Sequence, residues 1–541
     1  MSKGIDLPEL HEEDLTPVTE RLLEILQQLQ DKLLHQDEII RQLRDEIAVL
    51  KKQSKRPKIK PSNLDKNTNQ RRDNEDTQGK KRPGSRKRHK TKDLKIHKSE
   101  VVAPAERVPN GSRFKGYRDY VVQGLAIEPF NIRYRLECWK TPDGRYVRGV
   151  LPGSVQGHYS PTLIRFILYQ HYHAHVTAPI LLEQLREWGV DISTGQLNRI
   201  LVEGKESFHA EKASILQAAL QGSSYVTVDD TGARHAGKNG YCTQIGNEFF
   251  AWFETTHRKS RINFLELLRA GHTDYVINEA ALVYMEGQKL PQGPLARLRK
   301  DQGCVFGDST QWTAHLDRQT ITTKRHVRIA TEGALLGSML GHGLAKDLAI
   351  VSDDAGQFAV LIHGLCWVHA ERTIHKLVPF TDGHREALAS IRGRIWDFYA
   401  DLKGYKDNPT PEGRNELEAR FDQLFTTQTC FHTLNHALKR LYQNKAELLL
   451  VLDRPDIPLH TNGSENDIRE YVKKRKISGG TRSDSGRRCR DTFATLKKTC
   501  RKLGISFWAY LQDRLCCLHE IPPLPSIVER RIADSRGLSS R

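Results

Sequence analysis

Between residues 18 and 52 the apolar positions recur at alternating steps of three and four: Leu22, Leu26, Leu29, Leu33, then Gln36, Ile40, Leu43, Ile47 and Leu50. This is a heptad seam sustained over about four heptads. It predicts one long helix that buries a narrow stripe against another copy of itself. Gln36 is the polar position of the seam and would fix register at some cost in stability. The bland alternative is an amphipathic helix packed on its own protein. After residue 52 the periodicity vanishes. Over 53–112 large apolar residues nearly disappear and runs such as Lys80-Lys81-Arg82-Pro83-Gly84-Ser85-Arg86-Lys87-Arg88 take their place. Such a segment cannot bury a core and is expected to be a disordered, basic linker that binds phosphates without sequence preference.

Over 115–155 short β-favouring runs predict a small β module. Tyr120-Val121-Val122 is one run, and Tyr134 to Cys138 leads through Trp139 to a Pro142-Asp143-Gly144 turn. Cys138 is its sole cysteine, so the module has no zinc ligand set. Helical periodicity returns over 156–210. Ser160-Pro161, Thr177-Ala178-Pro179 and Ser193-Thr194 each open a short helix, and Gly189 closes the second. Three short helices with tight turns suit a helix-turn-helix-like DNA-binding module, with a plain helical connector as the alternative. His171, His173 and His175 alternate rather than share a helical face, so they are read as surface residues.

From 223 the pattern turns to strands. Tyr225-Val226-Thr227-Val228 ends in Asp229-Asp230, and Tyr241–Ile245 and Phe249–Phe253 complete a meander. A helical or irregular stretch follows. Leu348-Ala349-Ile350-Val351 is a later apolar run ending in Asp353-Asp354. Residues 366–455 read as helices, including Trp367–Leu377, Arg385–Lys403 and Glu412–Phe425. Another helix starts at Asn462-Gly463-Ser464-Glu465, with Glu465 in its first turn, where the dipole favours a carboxylate. Phe493–Leu511 reads as one closing helix and the tail from Ile521 as loose.

Composition narrows the choice of partner. The 541 residues carry a formal net charge of +18, which favours nucleic acid over a membrane surface. Nine scattered cysteines show no disulfide framework. No apolar run reaches the ~18 residues of a membrane span, so a cytoplasmic, nucleoid-associated protein is expected. Two strands that each end in aspartate are the strongest chemical signal. Neighbouring parallel strands bring such ends together, and converging carboxylates suit a hard cation such as magnesium or manganese. Glu465 is the candidate third ligand, completing a site in which two ions act on one phosphodiester. Arg469, Lys473, Lys474, Arg475, Lys476 and Arg482 follow it and are candidate DNA contacts. Other motifs weigh little. Gly232 to Asn239 imitates a phosphate loop but lacks the Ser/Thr and lies between strands, so it reads as a hairpin. His363, Cys366, His369 and His375 read as a helix entering the core rather than a zinc site.

Four segments together resemble the DDE transposases of the insertion sequence sixty-six family: Val228-Asp229-Asp230-Thr231, Ser352-Asp353-Asp354-Ala355-Gly356-Gln357-Phe358, Cys366-Trp367-Val368-His369-Ala370-Glu371-Arg372, and Asn462-Gly463-Ser464-Glu465-Asn466-Asp467-Ile468-Arg469. The resemblance spans about 115–515. It implies an α/β, RNase H-like mixed sheet over 220–515 with helical insertions at about 257–345 and 370–455, followed by the tail over 520–541 that its proline and arginine content marks as loose. It further implies that Asp229, Asp353 and Glu465 bind two Mg2+ ions, with Mn2+ able to substitute. Such an enzyme cuts transposon ends and joins the 3′-OH to target DNA, as a homo-oligomer and with possible accessory proteins. The alternative is a DNA-binding accessory or repressor of the same ancestry without catalysis. The sequence departs from the family pattern in lacking upstream zinc-binding cysteines, in the long spacing between Asp229 and Asp353, and in Lys474-Arg475-Lys476-Ile477 where Arg-Lys-Asn is usual.

The heptad seam yields a test of its own. Leu29→Pro or Leu43→Pro should abolish self-association, because proline inside a helix costs about 3 kcal/mol or more. Light scattering after size exclusion would read the change, and an unaltered oligomer would remove the seam from the interface.

Overall fold

The computed structural model describes residues 95–152 and 157–539. The coiled coil expected over 18–52 and the basic segment up to residue 94 lie outside the described residues. The next segment is exposed and holds one hairpin, β1 (Cys138–Lys140) with β2 (Tyr146–Arg148), closed by a turn in which Gly144 takes φ +83°. The run Tyr120-Val121-Val122 forms no strand.

Helices then follow at the expected caps. Ser160 and Ser193 accept from backbone N–H groups three residues on, opening α1 (Pro161–Leu168) and α3 (Thr194–Val202). Between them lies α2 (Ala178–Glu187), closed near Gly189 at φ +83°. A π-turn, Tyr169–His173, extends α1. His173 stays exposed, as expected, but His171 and His175 turn inward, against expectation. His171 Nδ1 meets the Val176 carbonyl at 2.9 Å, and His175 Nε2 meets Glu470 at 2.9 Å. The long α4 (Glu206–Gly222) leads into the sheet.

That sheet has five strands, a three-strand meander extended by two parallel strands. A meander of β3 (Tyr225–His235), β4 (Lys238–Gly246) and β5 (Ala251–Thr256) is antiparallel. The β3–β4 connection is a two-residue turn, with Ala236 at φ +48° and Gly237 at φ +78°, as a primed hairpin turn requires. The crossover from β5 carries α5 (Arg261–Leu268), β6 (Tyr275–Val276), α6 (Glu279–Gly287), α7 (Gln292–Lys300), β7 (Val305–Phe306), α8 (Ser309–Arg318) and α9 (Lys324–Gly341). It returns as β8 (Ala349–Ser352), parallel to β3, and then β9 (Ile362–Leu365), parallel to β8. The expected strand end at Asp229-Asp230 is therefore corrected. Pairing with β8 stops at Thr227, while pairing with β4 carries β3 on to His235.

The rest is helical: α10 (Trp367–His375), α11 (Asp382–Asp407), α12 (Pro411–Phe425), α13 (His432–Gln443), α14 (Lys445–Leu448), α15 (Leu450–Asp453), α16 (Asn462–Ser478), α17 (Asp484–Lys502), α18 (Phe507–Cys516) and α19 (Leu524–Ser539). Two expectations are corrected here. The single closing helix is two, broken where Gly504 takes φ +74° and Ser506 caps the next. The tail is α19, and Leu524, Val528 and Ile532 bury one of its faces on the core. Among the described residues no helix is long and apolar enough to cross a membrane.

The two faces of the sheet are covered differently. Val226, Val228, Ile245 and Trp252 join the main core. Ala233, Cys242 and Phe253 pack instead against Ile468 and Tyr471 of α16. After α16 the chain passes close to the β3 hairpin. Thr481 exchanges backbone bonds with Arg234 and Ala236, and a Cβ on Gly480 would stand 2.5 Å from the Arg234 carbonyl. The free edge of β5 is closed by side chains. Thr499, Thr495 and Asp491 of α17 accept from the N–H groups of Ala251, Phe253 and Thr255 at 3.3, 3.0 and 2.8 Å. Steps of four along a helix and two along a strand cover similar distances, so one helix satisfies the outward N–H groups that a bare edge would expose.

Two expected outcomes follow from this packing. Thr495→Val keeps the shape but strands the Phe253 N–H, and should cost about 1–3 kcal/mol in chemical denaturation. Lys474 is buried, with its ammonium donating to the His171 carbonyl at 2.7 Å. Burial, with Arg490 and Lys497 nearby, pushes its pKa down to about 7. The unfolded chain therefore binds more protons than the folded one between about pH 7 and the ordinary lysine range, so this group adds stability as pH rises through that window. Lys474→Met should raise the melting temperature most below pH 7 and flatten the rise. An unchanged pH profile would contradict the assignment.

Candidate active site

The β3–β8 pairing aligns Tyr225 with Ala349, Val226 with Ile350 and Thr227 with Val351. Carried two residues further, the same offset brings Asp229 level with Asp353. Both are half-buried. Side chains alternate along a strand, so Asp229 shares a face with Thr227 and Ala233, the face that α16 covers. The hydroxyl of Thr227 meets that of Ser464, which adjoins Glu465 in the first turn of α16. Thr461 is the N-cap residue but makes no side-chain cap; the helix opens instead with the Glu465 N–H donating to the Thr461 carbonyl at 2.9 Å.

Burial raises the pKa of Asp229 to about 6, against a bond to its own carboxylate from the Asp230 N–H at 2.7 Å, and the Asp353 charge adds to the rise. Burial also raises Asp353, although the Ala355 N–H donates to it at 3.2 Å and His369 opposes the shift. Neither carboxylate has an ion-pair partner among the described residues. Their neighbours differ. Asp230 faces the other way and binds Lys259 at 2.9 Å and Gln357 at 2.8 Å. Asp354 is exposed and pairs with Arg440.

Glu465 is held from α10 and from its own helix. Arg372 grips both of its oxygens, one at 3.1 Å. His369 stands 3.5 Å away and Arg469 3.9 Å away. Burial works against the charged form of His369, but the Cys366 thiol and Glu465 outweigh it and hold its pKa above the ordinary value. His369 thus stands between the two aspartates, whose charge it offsets, and the glutamate. The three acids are gathered around one helix–sheet junction, yet their oxygens do not all lie within 4.8 Å of one another. An open cleft beside them is lined by Asp353, His369, Arg372, Lys376, Arg440 and Asn444.

The candidate DNA contacts separate by orientation. Arg469, Lys473, Lys476 and Arg482 are exposed. Arg475 is half-buried and donates to Thr231 at 3.3 Å. Lys474 turns inward, as described above, and is not offered to solvent. His369 and Arg372 had no assigned role in the sequence reading, although the segment Cys366 to Arg372 was singled out. Their i, i+3 spacing on a helix that follows a strand C-terminus was the available signal.

A family model described as "Transposase IS66 family" matches residues 351–488. That span contains Asp353 and Glu465 and begins after Asp229. A protein of Sinorhizobium fredii, described as "Uncharacterized protein y4jO", is 48% identical over 303 residues, which cover 56% of this chain and 94% of the relative. Three of the four motif segments expected from the sequence, those holding Asp353, His369 and Glu465, fall within the matched span, and the chain belongs to the IS66 family of transposases.

Proposed function

We propose that this protein is a metal-dependent DNA transposase that cuts the ends of its element and joins the freed 3′-OH to target DNA. Asp229, Asp353 and Glu465 would hold two Mg2+ ions, or Mn2+ in their place, on an RNase H-like core. Such ions supply activation of the attacking oxygen and stabilisation of the leaving oxygen of a phosphodiester. The observation that carries the reading is the β3–β8 register, which sets two half-buried carboxylates level on adjacent strands, neither of them in an ion pair among the described residues. Oxygen donors in that state suit a hard divalent ion. Glu465 fits the same set once Arg372 yields one of its two hydrogen bonds.

The chain's own residues have separable tasks in this reading. Lys259 and Gln357 engage Asp230, whose charge still reaches Asp353, and Arg440 pairs with Asp354. Arg372 orients Glu465 through both of its oxygens. The exposed cations Arg469, Lys473, Lys476 and Arg482, with Lys376 and Arg440 at the cleft, would track DNA phosphates and place the scissile bond. Helices α1–α3 would read the terminal DNA as a helix-turn-helix-like module. The N-terminal seam would join protomers so that two ends can be held at once.

The Arg372 clamp also favours a second reading. A guanidinium that already satisfies Glu465 suits a DNA-binding accessory protein without catalysis. The two readings part in a cleavage assay on labelled terminal DNA with Mg2+. Asp229→Asn, Asp353→Asn and Glu465→Gln should each lower cleavage and joining by more than about 100-fold, with DNA binding and melting nearly unchanged. Asp230→Asn and Asp354→Asn should do less. Binding without cleavage in the parent protein would select the accessory reading.

A further inference from the structure

A second cluster of ligand-type side chains lies away from the three acids. His272 and Asp274 sit between α5 and β6, and His342 directly follows α9. One ligand atom from each lies within 4.8 Å of the other two. Both Asp274 oxygens face His342 Nε2, at 2.9 and 3.0 Å. Ser338, one turn earlier on α9, donates to the same carboxylate at 3.0 Å and fixes its direction. The rings of His272 and His342 are stacked, with centroids 3.5 Å apart and planes 5° from parallel. The His272 ring makes no hydrogen bond among the described residues.

We propose that His272, Asp274 and His342 bind one divalent transition-metal ion, with zinc the best fit. Two imidazoles and one carboxylate form a borderline donor set, which suits zinc better than the hard cations that an all-oxygen set prefers. Ser338 supplies the outer hydrogen bond that ligating carboxylates use to hold their orientation. The C-terminal end of α9 adds a favourable negative field. One ring must tilt out of the stack to share the ion, and the His342 side chain, 36% exposed, has room to do so. Three protein ligands leave a position for water. The ion would tie the start of β6 to the end of α9, the helix whose following residues lead into β8 and Asp353. It is thus a staple on the crossover, independent of the catalytic reading.

The test uses the full chain, stripped with a chelator and titrated with Zn2+ against a chromophoric competitor, with thermal melting in parallel. Asp229→Asn/Asp353→Asn protein serves as background, so that ions at those acids are not counted. The proposal expects one tight equivalent of zinc and a higher melting temperature on its addition. His342→Ala and His272→Ala should each weaken that equivalent by more than about 100-fold, since even outer partners of a ligand cost about 10–100-fold. Because His342 is partly exposed, its removal should leave the circular dichroism of the stripped protein unchanged. Should either variant misfold, Asp274→Asn, which keeps the shape, reads the same loss. Zinc uptake equal to the parent in these variants, or no micromolar uptake by the parent, would overturn the proposal.

Discussion

The parallel pairing of β3 with β8 is the constraint on which the candidate site depends. Parallel neighbours cannot be joined by a tight turn, so the chain between β5 and β8 has to travel out and back, and it does so through five helices and a two-stranded ribbon. The offset of that one pairing decides whether Asp229 and Asp353 stand level. A shift by one residue would turn Asp230, now tied to Lys259, toward α16 and leave Asp229 on the opposite face. The position of α16 depends on the same strand. Its Ser464 meets Thr227, and its Ile468 and Tyr471 pack on Ala233 and Phe253.

Around this junction, polar groups fix direction where apolar packing alone would permit sliding. Thr495, Thr499 and Asp491 lock α17 onto the edge of β5. Tyr471 donates or accepts at Thr255 (2.8 Å) and reaches Asp491 at 3.0 Å, so α16 and α17 share one buried network. Glu470 ties α16 to Lys497 at 2.8 Å and to His175 at 2.9 Å, and the Lys474 ammonium ends on the His171 carbonyl. Buried charges of this kind gain little net stability, but losing one partner is costly. The helical module, the site helix and the sheet edge therefore hold one another in register.

Much of this was legible because local patterns were strong. The Ser160 and Ser193 caps, the apolar runs before both aspartate pairs, and the first-turn glutamate all mark their elements by side-chain chemistry that acts within a few residues. What could not be read depends on partners far along the chain. Asp229 lies mid-strand because β4 keeps pairing after β8 has stopped, and the polar run Asp230 to His235 gives no apolar alternation to signal it. Lys474 looked like one cation in a surface stripe, and only the approach of the π-turn buries it. His369 and Arg372 acquire meaning when α10 meets α16, some ninety residues later. The tail was misread for a different reason. Three prolines near its start and its arginines suggested a loose end, although Leu524, Val528 and Ile532 recur at helical spacing and do pack.

The central claim concerns where metal binds relative to the three acids, and anomalous diffraction from crystals soaked in Mn2+ measures that directly. The account predicts manganese peaks bounded by Asp229, Asp353 and Glu465, with Glu465 released from at least one of its Arg372 hydrogen bonds. Manganese absent from this junction, with Glu465 still gripped at both oxygens by Arg372, would contradict it.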